Sequence, residues 1–131
     1  MIELYNIGIS EETIKNMLEV NPEIKDMNEK EIKEKELILE KLGCFEYQIT
    51  NIISSNPIYL SRTKGEILNL VKTLVDYKFK TLNILLDSNP YVLNLEPFEI
   101  KNYIEKRVNQ GELLEDVIDD LDSNPILFNE M

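Results

Sequence analysis

Apolar residues recur along the chain in pairs four positions apart, and the pairs themselves repeat. A separation of four places both side chains of a pair on one face of an α-helix. The pattern therefore predicts an amphipathic helix in each of four repeats. The pairs are Ile14 with Leu18, Ile49 with Ile53, Leu82 with Leu86, and Val117 with Leu121.

An Asn-Pro dipeptide follows each pair, and its prolines are spaced 35, 33 and 35 residues apart. Because proline disfavours helical geometry in the residue before it, the first helix of each repeat should end there. Asparagine then suits the N-cap and proline the first position of a new turn. We expect a short 3₁₀ turn that presses the next apolar residues into the core. The four dipeptides end at Pro22, Pro57, Pro90 and Pro125.

A second helix is predicted in the first three repeats, where a glutamate stands nine residues after the proline. These glutamates are Glu31, Glu66 and Glu99, and an isoleucine follows each. Thr63 and Glu66 have the spacing of a capping box, in which each residue caps the other at a helix start. Asn28 with Glu31 is a close variant, and Pro97 falls in a first helical turn, where proline is tolerated.

The pattern predicts an all-α fold, a right-stacked helical-hairpin repeat or α-solenoid of about three and a half units. We expect one domain, residues 1–131, with units near 8–42, 43–75, 76–110 and 111–131. Aligned on the prolines, Gly8, Gly43, Asp76 and Gly111 share one position, and the glycines there can end a helix in left-handed geometry. Helices are expected over residues 10–20, 28–42, 45–55, 63–76, 79–88, 96–109 and 112–122.

This unit resembles the mitochondrial transcription termination factor (mTERF) repeat, which has two α-helices and a 3₁₀ turn opened by proline. The segments Leu42–Leu60 and Gly8–Ile24 match it well, and the resemblance extends from Gly8 to Phe128. It implies a curved helical solenoid whose basic concave surface holds double-stranded nucleic acid. It also implies roles in organellar transcription and ribosome assembly.

Composition limits the chemistry that this chain can perform. It has no histidine, which excludes Ser-His-Asp and Cys-His nucleophilic sites and metal sites that need imidazole. The single cysteine cannot form an internal disulfide, so a reducing cytosol suits the fold. No long apolar stretch or secretory signal is visible. We therefore expect a cytoplasmic, non-enzymatic protein with no catalytic residues, metal, cofactor or membrane partner.

The chain is acidic, with 25 Asp and Glu against 14 Lys and Arg and a formal charge of -11, but the charge is uneven. Residues 61–80 carry five bases against two acids, and residues 111–131 carry seven acids and no base. The bases form a candidate strip for phosphates or a partner's acidic surface: Arg62, Lys64, Lys72, Lys78 and Lys80. The acids form a candidate docking surface: Glu112, Glu115, Asp116, Asp119, Asp120 and Asp122.

The leading hypothesis is a regulatory helical-repeat module that binds a macromolecule, a protein rather than nucleic acid. One alternative is an mTERF-like nucleic-acid-binding protein, acting in transcription or on RNA through the basic strip. A further alternative is a small inhibitor that imitates nucleic-acid charge in an enzyme's basic channel. Because the fourth unit lacks a second helix, we also expect a homodimer through the C-terminal unit.

Overall fold

The structure, a computed structural model, describes all residues from Met1 to Met131 and contains helices but no strands. The predicted all-α helical-hairpin repeat is confirmed. No helix combines the length and apolar character that a bilayer crossing requires. The α-helices are α1 (Ile2–Asn6), α2 (Glu11–Val20), α3 (Glu29–Lys41), α4 (Glu46–Ser55), α5 (Lys64–Asp76), α6 (Leu82–Ser88), α7 (Pro97–Asn109) and α8 (Leu114–Ser123).

A 3₁₀ turn opened by proline follows α2, α4, α6 and α8, as the Asn-Pro pattern predicts. We call these the first to fourth Asn-Pro turns. Each turn buries at least one apolar residue after its proline, and Tyr59 and Phe128 are wholly inaccessible to solvent. The turns therefore contribute to the core as well as joining helices. Their bounds are Pro22–Asp26, Pro57–Ser61, Pro90–Asn94 and Pro125–Glu130.

The chain divides into two compact units, Met1–Arg62 and Thr63–Met131, each containing two Asn-Pro turns. In the first unit α3 packs against α1 and α4, and α2 packs against α4 and the second turn. In the second unit α7 packs against α5 and α8, and the third turn packs against the fourth. A single domain of residues 1–131 stays a prediction.

Helix α1 was not predicted, because it precedes the first repeat and lacks its pattern. Leu4 is the one buried residue of this five-residue helix. The amino group of Met1 and the backbone N–H of Glu3 both donate to the Glu29 carboxylate, at the start of α3. Contacts outside the repeat pattern therefore hold this helix in place.

A residue with left-handed backbone geometry stands before the first helix of each repeat. This residue is a glycine in three repeats and a lysine in one. Gly8, Gly43 and Gly111 have φ of 91°, 94° and 103°, and Lys78 has φ of 65°. The alignment on proline places Asp76 level with these glycines, but Asp76 is the last residue of α5 and the left-handed residue is Lys78. The left-handed residue thus lies closer to its proline, and α6 starts at Leu82 instead of residue 79.

The Asn-Pro asparagines occupy the predicted N-cap positions, but their side chains do not cap their own turns. The Asn21 side-chain N–H₂ donates to the Pro57 carbonyl at 3.0 Å and to the Ser61 hydroxyl at 2.7 Å. Asn89 repeats this on the fourth turn, donating to the Pro125 carbonyl at 2.8 Å and to Asn129 Oδ1 at 3.0 Å. The asparagines are thus the N-cap residues that the pattern predicts, but the amides of Asn21 and Asn89 join one turn to the next.

Asn124 shows what this side chain does without a following turn. It is exposed, and its N–H₂ donates to the Asp120 carbonyl at 3.2 Å and to Asp120 Oδ1 at 2.9 Å, within its own helix. Asn21 and Asn89 are instead only 3% and 8% exposed. Burial of the amide thus accompanies its contact with the next turn.

The predicted caps of the second helices are present. The backbone N–H of Glu66 donates to Thr63 Oγ1 at 3.1 Å, and the N–H of Thr63 donates to the Glu66 carboxylate at 2.8 Å. Asn28 accepts from the Glu31 N–H at 2.8 Å, and Pro97 occupies the first turn of α7. These local bonds satisfy backbone donors that a helix start leaves unpaired.

Replacing Asn21 or Asn89 with alanine should each lower the free energy of unfolding by about 2 kcal/mol, because buried acceptors lose their donor. Asn124→Ala is the matched control and should cost less than about 0.5 kcal/mol, since its amide is exposed. Urea denaturation followed by circular dichroism measures all three. Equal losses at the three positions would contradict the bridging role.

Lys78→Gly should stabilise the chain by about 0.5–1 kcal/mol, because glycine adopts left-handed geometry without the steric cost that a Cβ brings. Lys106→Gly is the control: Lys106 is an exposed lysine in the last turn of α7, and glycine there should cost about 1 kcal/mol. Thermal unfolding of both variants and of the wild type measures the two changes in stability. Destabilisation by Lys78→Gly would show that the lysine side chain matters more than the backbone.

Candidate functional site

The predicted basic strip is divided between the two compact units. Arg62 is the last residue of the first unit, and the four lysines belong to the second. Lys64 and Lys72 are exposed on α5, while Lys78 and Lys80 lie in the connection between α5 and α6. Within the second unit, the lysines therefore occupy two places, a helix face and a connecting loop.

Two of these lysines are paired with acids of the same unit. Lys72 Nζ lies 2.8 Å from Asp76 Oδ2, one helical turn away. Lys80 Nζ lies 3.7 Å from Asp119 Oδ1, and its backbone N–H donates to Asp122 Oδ2 at 3.2 Å. Exposed ion pairs add little stability, but they reduce the positive potential that a phosphate would meet. The loop lysines thus face the predicted acidic surface.

The predicted acidic surface is organised around Arg107, which the sequence reasoning did not single out. Arg107 Nε and Nη2 donate to the two carboxylate oxygens of Glu112, both at 2.7 Å. Its Nη1 lies 2.8 Å from Asp120 Oδ2, and the guanidinium carbon is 5.7 Å from the centre of the Tyr103 ring. The arginine therefore ties the end of α7 to α8.

These bonds also set the ionisation of the pair. Hydrogen bonding from the guanidinium lowers the pKa of Glu112, and the same bond raises the pKa of Arg107. A lowered carboxyl pKa means that the folded state favours the charged form. Its stabilisation is therefore present above the ordinary pKa of glutamate and is lost as pH falls through the lowered value.

Two of the other predicted acids stand at the start of α8. Glu115 and Asp116 are exposed in its first turn. Negative side chains are favoured there, because the N-terminal end of a helix carries partial positive charge. Local helix electrostatics therefore account for these two acids without a partner.

A groove of about 630 Å³ brings together parts of both predicted surfaces in the second unit. Its walls are the loop that carries Lys78 and Lys80 and the first two turns of α8. Burial and the Glu105 carboxylate raise the pKa of Tyr77 at its edge, so that hydroxyl stays protonated. The remaining lining consists of Asp76, Leu113, Leu114, Glu115, Ile118 and Asp119.

Exposed leucines distinguish this groove from an ordinary charged face. Leu113 and Leu114 are 63% and 49% exposed, next to the buried Ile118 side chain. Lysine side chains and carboxylates surround this apolar floor, so its rim carries charges of both signs. Such an arrangement suits a ligand with an apolar stripe and flanking charges.

The family of the chain follows from its sequence together with this fold. A sequence model of the mTERF family matches residues 2–120. The chain belongs to the mTERF family. The resemblance inferred from the Asn-Pro repeat is thereby confirmed, and the match includes α1, which the repeat pattern missed. No curated protein matches the chain.

The sequence of this mTERF-family chain contains a signal for the ion pair of Arg107, but that signal is hard to recognise. The residue lies five positions before Glu112, with the left-handed Gly111 between them. The usual search for charge pairs on helices looks three or four residues ahead, along one continuous helix. A pair that forms across a helix end escapes that search.

Arg107→Ala should destabilise the second unit at neutral pH and low salt more than Lys106→Ala, which removes the same charge from an exposed neighbour. The physical reason is the bidentate bond to Glu112 and the contact with Asp120. Chemical denaturation at pH 7 and at an acidic pH below the lowered pKa of Glu112 measures the difference, which should narrow at the acidic pH as Glu112 is protonated. A difference of the same size at both pH values would contradict the ionic origin.

Proposed function

We propose that this mTERF-family chain is a non-catalytic, regulatory helical-repeat module that binds a segment of a partner protein. The observation that carries the proposal is the groove between the Lys78–Lys80 loop and α8. Its exposed leucines offer an apolar floor, and its rim carries both charge signs. An amphipathic protein segment with apolar anchors and mixed flanking charges complements such a surface.

The pairing of the bases favours protein over nucleic acid as the ligand. Duplex binding depends on several Lys and Arg side chains that neutralise phosphates together. Here Lys72 and Lys80 already lie against Asp76 and Asp119. Arg107, the most strongly paired base, is engaged by Glu112 and Asp120. Some of the acids that would imitate nucleic-acid charge are already neutralised by these same ion pairs.

Family membership favours nucleic-acid binding as a second candidate function. In that case Lys64 and Lys78, which form no ion pair, would contact phosphates first. Lys72 and Lys80 would exchange their acidic partners for phosphate oxygens. Such binding would weaken steeply with salt, because counterions are released from the nucleic acid.

A Leu113→Glu, Leu114→Glu double variant should abolish partner capture, because two charges on the groove floor oppose an apolar anchor. The control is Ile126→Glu, at an apolar residue that is 66% exposed and outside the groove. Crosslinking in cells that express the protein, followed by mass spectrometry, compares the three proteins. Crosslinks from groove residues to one partner, lost only in the double variant, are the expected result.

The same experiment separates the other occupants of the groove. Crosslinks between two copies, with a dimer by light scattering, would assign it to the homodimer. An unchanged set of crosslinks in the double variant would contradict the proposal. A gel shift with duplex DNA or RNA at low salt, weakened by Lys64→Glu with Lys78→Glu, would favour nucleic-acid binding instead.

A further inference from the structure

A second cavity, of about 460 Å³, lies in the first unit and shares no lining residue with the proposed groove. Helices α1 and α3 and the beginning of α4 form its walls. Its apolar lining comes from Ile7, Leu37 and Ile49, together with Cys44. Its charged lining consists of Glu3, Lys33, Glu36, Glu40 and Glu46, four carboxyl groups and one amine.

Glu36 is the unusual residue of this cavity. It lies on the apolar face of α3, four residues after the buried Ile32 and three before the buried Leu39, and is 5% exposed. Its Oε2 has no hydrogen-bond partner in the protein. A buried carboxyl oxygen without a partner costs free energy, so its position calls for a ligand or another compensating role.

Lys33 reaches only the other oxygen of this carboxyl group. Its Nζ lies 3.8 Å from Glu36 Oε1 but 3.4 Å from Glu3 Oε1, so two carboxyl groups share one amine. The carboxylates of Glu3 and Glu36 raise the pKa of Lys33, which therefore stays charged. Glu40 and Glu46 add further negative charge, and the cavity keeps an excess of acid.

The ionisation of Glu36 reflects the same shortage of positive charge. Burial and the neighbouring Glu3 carboxylate raise the pKa of Glu36 to about 8, against the opposing effect of Lys33. This carboxyl group is therefore mostly protonated at pH 7. The other ionisable groups that line the cavity are Glu40 on α3, Cys44 before α4 and Glu46 on α4.

We propose that this cavity binds a primary ammonium or guanidinium group carried on a short aliphatic chain. The excess carboxyl groups would receive the cation, with the unpaired Glu36 Oε2 as its innermost acceptor. The apolar side chains of Ile7, Leu37 and Ile49 would contact the chain. A bare metal ion fits less well, because no group of three or more acidic or cysteine side chains converges in metal-binding geometry.

Two sources can supply this chemistry, a free polyamine or a lysine or arginine side chain of a partner protein. In either case a bound cation lowers the pKa of Glu36, and a proton leaves as the cation enters. Affinity should therefore rise about tenfold per pH unit from pH 6 toward pH 8 and then level off. This proton release separates the site from diffuse attraction to an acidic surface.

Folding must be checked first, because Glu36 is buried. A raised carboxyl pKa favours the neutral folded form, so the stability of the wild type should fall as pH rises from about 4.5 to about 8. Glu36→Gln keeps the shape and removes the ionisation, so this variant should be at least as stable as the wild type, with the greatest gain at pH 8. Thermal unfolding between pH 5 and pH 9 shows whether the variant is folded and whether the dependence is lost.

Isothermal titration at constant ionic strength tests the ligand, with spermidine and the peptide Gly-Arg-Gly as separate probes. At pH 8 we expect saturable binding of one or both, at least tenfold weaker in Glu36→Gln and unchanged in Glu11→Gln, an exposed acid of α2 outside the cavity. Spermidine alone would indicate a free polyamine, and the peptide alone a partner's side chain. No saturable binding at millimolar concentration, or equal binding by Glu36→Gln, would overturn the proposal.

Discussion

A buried asparagine amide is the constraint on which the repeat depends. An amide removed from water without partners costs about 1–3 kcal/mol, so each buried Asn-Pro asparagine needs acceptors nearby. Asn21 and Asn89 find theirs only on the following turn, 36 and 40 residues along the chain. The amide therefore fixes how two successive turns lie against each other. Proline then starts the turn, and the residues behind it, such as Tyr59 and Phe128, reach the core.

The local sequence pattern was sufficient to predict most of the helices and their caps, because each depends on residues a few positions apart. The Thr63 and Glu66 capping box and the buried Ile67 behind it are examples. The asparagine bridge could not be predicted in this way, since its acceptors lie a whole repeat away and include a backbone carbonyl. A fixed alignment on proline also missed the shift from Asp76 to Lys78, which the left-handed backbone reveals.

The candidate sites were harder to predict than the fold, because the net effect of a charge depends on its neighbours in space. Lys80 and Asp119 were assigned to opposite surfaces, yet they lie within ion-pair distance. Arg107 was not predicted, although it binds both Glu112 and Asp120. Glu36 gave a readable signal, an acid in the apolar stripe of α3, and its meaning required the cavity beside it. The charge of -11 is therefore a sum over surfaces with different local balances.

The central claim is that the buried amides of Asn21 and Asn89 each couple their own turn to the following turn of the same unit. A double-mutant cycle of Asn89→Ala with Asn129→Ala measures that coupling directly, with Asn124→Ala and Asn129→Ala as the reference cycle. We expect a coupling free energy on the order of 1 kcal/mol for the first cycle and none for the second. Additive effects of Asn89→Ala and Asn129→Ala would contradict the account.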